Sequence, residues 1–259
     1  MAWTINNGKL YFNTKLYTGN AGTQSITGVG FSPDFIWGKN RSSVTNHALV
    51  DTVRGNTKYV KSSTNAAEAT ITNMVTAFGS DGFSLGADSD MNGSSANQVA
   101  WNWKAGTSFT NDASATGIGS IDSAGSFNND SGFSIVSYTG TGSAGTIKHG
   151  LNSVPSMIII KVLTNTANDW VVYHQATGNN KSTFLNGTNA VSSNAFMNNT
   201  TPTSSVFSVD GSNYSSGSSR NYIAYCFAEK QGYSKFGSYT GNGNADGTFI
   251  YTGFSPAFV

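Results

Sequence analysis

Charge is what this chain has least of. Only 10% of its 259 residues are Asp, Glu, Lys or Arg, and the formal net charge is +1. The basic clusters that release counterions from a phosphate backbone are missing, which excludes electrostatic capture of nucleic acid. Glutamate occurs only at Glu68 and Glu229. Glycoside hydrolysis needs two carboxylates facing each other across the scissile bond. Glu68 reads as part of one helical turn over 65–69 and Glu229 follows a strand. Neither has a second carboxylate two or four residues away, so the chain reads as non-enzymatic. Most aspartates stand beside Gly, Ser or Asn, which is turn chemistry. The one cysteine, Cys226, excludes an intramolecular disulfide and any need for an oxidising compartment. Lying between Tyr225 and Phe227, it reads as a buried structural thiol. No apolar run approaches a membrane span. Residues 1–7 have neither the basic start nor the apolar core of a signal peptide.

Disorder is excluded as well, because aromatics reach 12% and disordered chains are aromatic-poor and highly charged. Proline is scarce, yet three of the four occupy one equivalent place. Leu16-Tyr17-Thr18-Gly19 precedes Gly30-Phe31-Ser32-Pro33-Asp34-Phe35-Ile36-Trp37. Ser137-Tyr138-Thr139-Gly140 precedes Ser153-Val154-Pro155-Ser156-Met157-Ile158-Ile159. Ser238-Tyr239-Thr240-Gly241 precedes Gly253-Phe254-Ser255-Pro256-Ala257-Phe258-Val259. The intervals, about 122 and about 101 residues, are those of whole domains rather than solenoid repeats. Val99-Ala100-Trp101-Asn102-Trp103 and Ile223-Ala224-Tyr225-Cys226-Phe227 also match, each alternating as a half-buried strand does.

Short strands with turns about every ten residues predict an all-β fold of tandem antiparallel β-sandwiches, jelly-roll and lectin-like. Residues 1–106 are expected to hold an N-terminal segment and a first module. Residues 107–131 read as a linker or accessory hairpin, and 132–232 as a second module. Residues 233–259 read as the start of a third, incomplete module, with the native polypeptide expected to run further.

Several stretches together resemble a known module. They are Tyr17-Thr18-Gly19 with Gly30–Trp37, Asp51-Thr52-Val53-Arg54-Gly55, Phe78 through Gly86, and Ala100-Trp101-Asn102-Trp103-Lys104-Ala105-Gly106. Phe133 through Gly142, Lys148-His149-Gly150-Leu151, Trp170 through His174, and Ala224 through Glu229 read as its second copy. The module resembled is one repeated in large virion proteins of marine bacteriophages, similar to concanavalin A-like and laminin-G-like sandwiches. The resemblance implies a tail fibre or other surface appendage on the tail or capsid, made in the host cytoplasm. Its partners would be other virion proteins, copies of itself and host cell-surface polysaccharide, with no nucleic acid and no membrane insertion. A purely architectural role, in capsid decoration or tail assembly, is the alternative. No catalytic residues carry over.

Sugar sites stack pyranose faces on exposed Trp or Tyr, with Asn and Asp fixing the hydroxyls. Trp37, Trp101, Trp103 and Trp170 are possible platforms, although strand patterns ordinarily send such residues to the core. Tyr214, beside Asn213 in a Ser/Gly loop, is the better exposed candidate. Asp88, Asp90 and Asn92, followed by Gly93, match the front half of a calcium loop, but the twelfth position is Val99 rather than an acid. His47, His149 and His174 are far apart, with His47 and His174 at roughly similar module positions, which disfavours a shared zinc site. No Gly-x-Ser-x-Gly elbow occurs, and Gly140-Thr141-Gly142 opens no helix. Trp3 and Ile5 are candidates for an anchoring strand that adds to a partner's sheet in the virion.

Overall fold

The computed structural model describes residues 7–164 and 168–259; Trp3 and Ile5 lie outside them. The chain is all-β, with antiparallel sheets packed face to face. In the first module the order is Phe12–Thr18, Asn97–Trp103, Phe35–Asn40, Ala48–Asp51. The second module has an eight-stranded sheet whose middle repeats that order: Phe133–Thr139, Asn221–Phe227, Met157–Val162, Val171–His174. Residues 107–131 join this sheet as the strands Thr107–Asn111 and Ser123–Asn128, which pair with each other and with Phe133–Thr139. Lys181–Phe184 and Ser192–Ser193 extend the other side.

The repeated sequence motifs do the same work twice. Proline can open a strand because it owes the ladder no N–H. The next residue then bonds to the end of the neighbouring strand, Asp34 N to Trp103 O at 2.8 Å and Ser156 N to Phe227 O at 2.7 Å. Buried tyrosine hydroxyls need partners. Tyr17 Oη donates to Met91 O at 2.8 Å, and Tyr138 Oη to Ser215 O at 2.7 Å. The glycine two residues on allows backbone contact. A Cβ on Gly19 would stand 2.2 Å from Gly93 O, and one on Gly140 2.4 Å from Gly217 O. The bonds Ser95 N to Gly19 O and Ser219 N to Gly140 O are both 2.9 Å.

Three apolar cores define four layers. Ile36, Val50 and Ala100 face the small sheet of Gln24–Ile26, Val75–Gly79 and Gly82–Leu85. Val136, Ile158, Ile160 and Ala224 face the pair Gly145–Lys148 and Val206–Val209. The third core is the seam, where the remaining faces of the two central sheets meet. Phe35, Leu49 and Trp103 pack there against Phe133, Ile135, Ile159, Trp170, Ile223 and Tyr225. Phe35 stacks on Tyr225 with ring centroids 4.4 Å apart. Each central sheet is thus covered on both faces, which explains the continuous burial of Ala48–Asp51 and of Met157–Val162 beyond its first residue.

The helical turn expected at 65–69 does not form. Ala69–Thr70 is instead a short strand on Lys58–Tyr59, and Glu68 is drawn across the seam, its N–H bonding Leu163 O at 3.1 Å. Residues 237–259 carry no strand. Phe258 rests its ring against Phe12, Trp101 and Trp103 at 5.7, 5.9 and 6.1 Å. Among the described residues no helix is long and apolar enough to cross a membrane.

Candidate functional site

Three of the four ion pairs among the described residues gather at the seam. The Asp51–Arg54 turn ends the strand Ala48–Asp51, and Arg54 Nε meets Asp51 Oδ2 at 2.7 Å, both side chains being almost wholly buried. Arg54 Nη1 reaches Glu68 at 3.2 Å, and Nη2 donates to Leu49 O at 3.0 Å and to Tyr225 Oη at 3.2 Å. Tyr225 Oη in turn donates to Asp51 Oδ2 at 2.8 Å. Burial pulls the guanidinium pKa down, but Asp51, Tyr225 and Glu68 outweigh it and leave it raised. Burial chiefly pushes the Tyr225 phenol well up, so it stays a donor. Buried charge is tolerated only when paired and fully hydrogen-bonded, and this network meets that condition. Trp170 Nε1 adds bonds to Lys61 O at 2.9 Å and Thr64 O at 3.2 Å. Lys161 Nζ adds one to Asn65 O at 2.9 Å, and burial lowers its pKa to about 8.

Beside this network the seam opens. The hairpin of Thr107–Asn111 and Ser123–Asn128 projects past the first module, leaving a cleft of about 550 Å³ lined by Arg54, Lys58, Glu68, Thr110, Asp122, Ser137, Thr139, Leu163 and Asn221. A second cleft of about 360 Å³, lined by Asp34, Thr52, Val53, Ser108, Gly125 and Ser126, continues it along the same hairpin. Ala124 borders both. Thr110, Ala124 and Ser137 are register partners, as are Ser108, Ser126 and Ile135. Ile135 belongs to the seam core, so all six share the seam-facing side of the sheet. The larger cleft exposes more apolar than polar surface, with the Thr110, Ser137 and Thr139 hydroxyls, the Asn221 amide and the charged groups of Arg54, Lys58, Glu68 and Asp122 around it, a mixture that can cover the apolar face of a ligand while hydrogen-bonding its polar groups.

The residues singled out from the sequence scatter. Trp170 is fully buried and its ring N–H is spent across the seam, so it offers no sugar platform. Tyr214 is half-buried against Phe184, 5.6 Å between centroids, and both rings pack on the second core, which takes the tyrosine face out of solvent. Asn213 is exposed, and its backbone carbonyl accepts from Tyr222 Oη at 3.0 Å. Trp37 is half-buried, its Nε1 donating to His47 Nδ1 at 2.8 Å. The His47 ring lies parallel to Trp101 at 6.5 Å. Burial, with Lys39 nearby, lowers the His47 pKa.

Asp88 caps the short helix Ser89–Asn92 by accepting from Asp90 N at 3.0 Å. The amide of Asn92 is engaged in the fold, Nδ2 donating to Gly22 O and Gly86 O at 2.7 Å each and Oδ1 accepting from Asn20 N at 2.9 Å. This loop therefore works as a plug beneath Gly19 rather than as an open ligand set. Among the described residues no group of three or more His, Cys, Asp or Glu could hold a metal. His47 and His174 are not equivalent. Asp51 pairs with Phe35 as His174 pairs with Met157, so the position equivalent to His174 is Asp51, and the one equivalent to His47 is Trp170.

Sequence reasoning missed the groove and the buried network. A signal existed for the network, an Arg three residues after an Asp at the end of an apolar strand. The groove had none, since its hydroxyls sit in a stretch indistinguishable from a linker. The family model of a domain of unknown function (DUF7483) matches residues 7–259. No curated protein and no solved structure matches the chain.

Proposed function

We propose a structural and adhesive role for this chain, which belongs to the family of that domain of unknown function (DUF7483). In this reading it is a non-enzymatic component of a bacteriophage particle, a tail fibre or surface appendage, that holds host-surface glycan. The observation that carries it is the seam. Two like modules are locked back to back by a buried aromatic and ionic interface, and the lock itself creates a hydroxyl-lined groove. A rigid spacer with a shallow groove of mixed hydroxyl and apolar surface suits weak, multivalent adhesion, where repetition of sites supplies the avidity. Binding of the purified chain to host envelope polysaccharide, read on a glycan array, tests the adhesive part. Imaging of the assembled particle tests the location.

One observation favours the architectural alternative, capsid decoration or tail assembly. The strand Phe12–Thr18 stands at the end of its sheet, with Leu16 63% exposed. An open strand edge is a ready place for another chain's strand. Deleting residues 1–8, which include Trp3 and Ile5, tests the anchoring role: the truncated protein should be lost from particles, and unchanged incorporation removes that role.

A further inference from the structure

We infer that the seam groove takes a neutral, extended saccharide and discriminates against anionic ones, an inference that rests on the adhesive reading above. The hydroxyls of Ser108 and Thr110 are exposed and have no hydrogen-bond partner among the described residues. They sit two residues apart on one strand face, a spacing of roughly 7 Å. Each points into a different one of the two adjoining clefts, so a ligand touching both must run along the strand rather than sit in one place. A hydroxyl donates and accepts without carrying charge, which matches the hydroxyls of a neutral sugar.

The charges at the groove decide against an anion. The cation of Arg54 is already met by Asp51 and Glu68. Lys58 donates to Thr70 Oγ1 at 2.7 Å and lies 3.9 Å from Glu68. Across from them Asp112 and Asp122 are exposed and have no cationic partner among the described residues. Asp122 Oδ1 accepts from Ala113 N at 2.8 Å, which leaves its other oxygen for a ligand hydroxyl. A carboxylated or sulfated saccharide in the larger cleft would meet these two carboxylates, while both cations among that cleft's lining residues, Arg54 and Lys58, already stand beside acidic groups, and like-charge contact is how binding sites reject wrong partners.

The test uses the full chain against matched neutral and acidic oligosaccharides of two to six units, by glycan array followed by calorimetry. Neutral oligosaccharides should bind, with affinity rising from two units to three. The acidic counterparts should bind at least ten-fold more weakly. The double variant Ser108→Ala, Thr110→Val should lose about ten-fold or more for neutral ligands at an unchanged unfolding temperature. Asp122→Lys should narrow the gap between neutral and acidic ligands. The comparison variant is Trp101→Ala, in the half-buried aromatic group on the first module. If neutral binding survives the double variant but is lost in Trp101→Ala, the groove assignment is overturned while the adhesive reading stands. Wild-type preference for acidic ligands overturns it equally. Absence of binding to every saccharide removes the adhesive reading and the groove assignment together.

Discussion

Tyr225 donates its phenol proton to Asp51 across 2.8 Å, joining the last strand of the second module to the fourth strand of the first, 174 residues away in sequence. The same carboxylate oxygen is held by Arg54 Nε at 2.7 Å. One acceptor therefore ties the two modules together, and it lies where water cannot replace either partner.

Removing that acceptor should be costly. Asp51→Ala leaves the Arg54 guanidinium buried with only Glu68 as a charged partner, and breaking one side of such a pair costs about 3–5 kcal/mol. Tyr225→Phe deletes two hydrogen bonds to charged groups, the one donated to Asp51 and the one accepted from Arg54, but leaves the ion pair intact, so its loss should be the smaller, about 1.5–3 kcal/mol. Urea unfolding of each variant checks the ranking; an Asp51→Ala protein as stable as wild type would mean that the modules are held by the aromatic contacts alone.

The repeated glycines should respond alike. Gly19→Ala and Gly140→Ala each push a methyl onto a carbonyl oxygen, at 2.2 and 2.4 Å, and overpacking of this kind costs about 1–3 kcal/mol. Gly241→Ala, which meets nothing within 4 Å, is the control and should be nearly neutral. Thermal unfolding of the three variants compares them directly.

Acid should weaken the second module through His149. Burial holds its pKa at about 4, with Nε2 on Thr203 O at 3.1 Å and Nδ1 accepting from Leu151 N at 3.2 Å. An unfolded histidine titrates near 6.5, so the unfolded chain binds the extra proton between those values. Stability is therefore complete above about pH 6.5 and falls as the pH drops toward 4, by about 3 kcal/mol over the window. A pH series of urea unfolding on wild type and His149→Gln should show a shallower slope for the variant; parallel slopes would remove His149 as the cause.

Cys226 should resist labelling. It is fully buried and its thiol is pushed up to about 12 by burial, so little thiolate forms at neutral pH. A disulfide reagent should modify it only as denaturant opens the second module. Rapid labelling of the folded chain would contradict the packing described.

The all-β class and the recurring strand motifs were legible because each depends on local signals: Pro33 and Pro155 opening strands, Tyr17 and Tyr138 preceding glycines, Trp101 and Tyr225 in strands of matching pattern. The seam was not, because it is a contact between surfaces that each sequence pattern assigns to its own module. Trp170 illustrates the difficulty. Its strand pattern reports burial correctly, but only the partner loop at Lys61 and Thr64 explains where its ring N–H goes. Asn92 is the converse case. Its spacing to Asp88 imitates a calcium loop, while its amide is consumed by Gly22 and Gly86, one of them 70 residues upstream.

In both modules the strand made last in each repeat lies between two made earlier: Asn97–Trp103 between Phe12–Thr18 and Phe35–Asn40, and Asn221–Phe227 between Phe133–Thr139 and Met157–Val162. A nascent chain leaving the ribosome can therefore pair its early strands only at the margins, and the sheet closes when the final strand slides into the gap. Such topology favours slow, late-committing folding. An assembly built from these repeats would be expected to ripen one repeat at a time, each waiting on its own keystone.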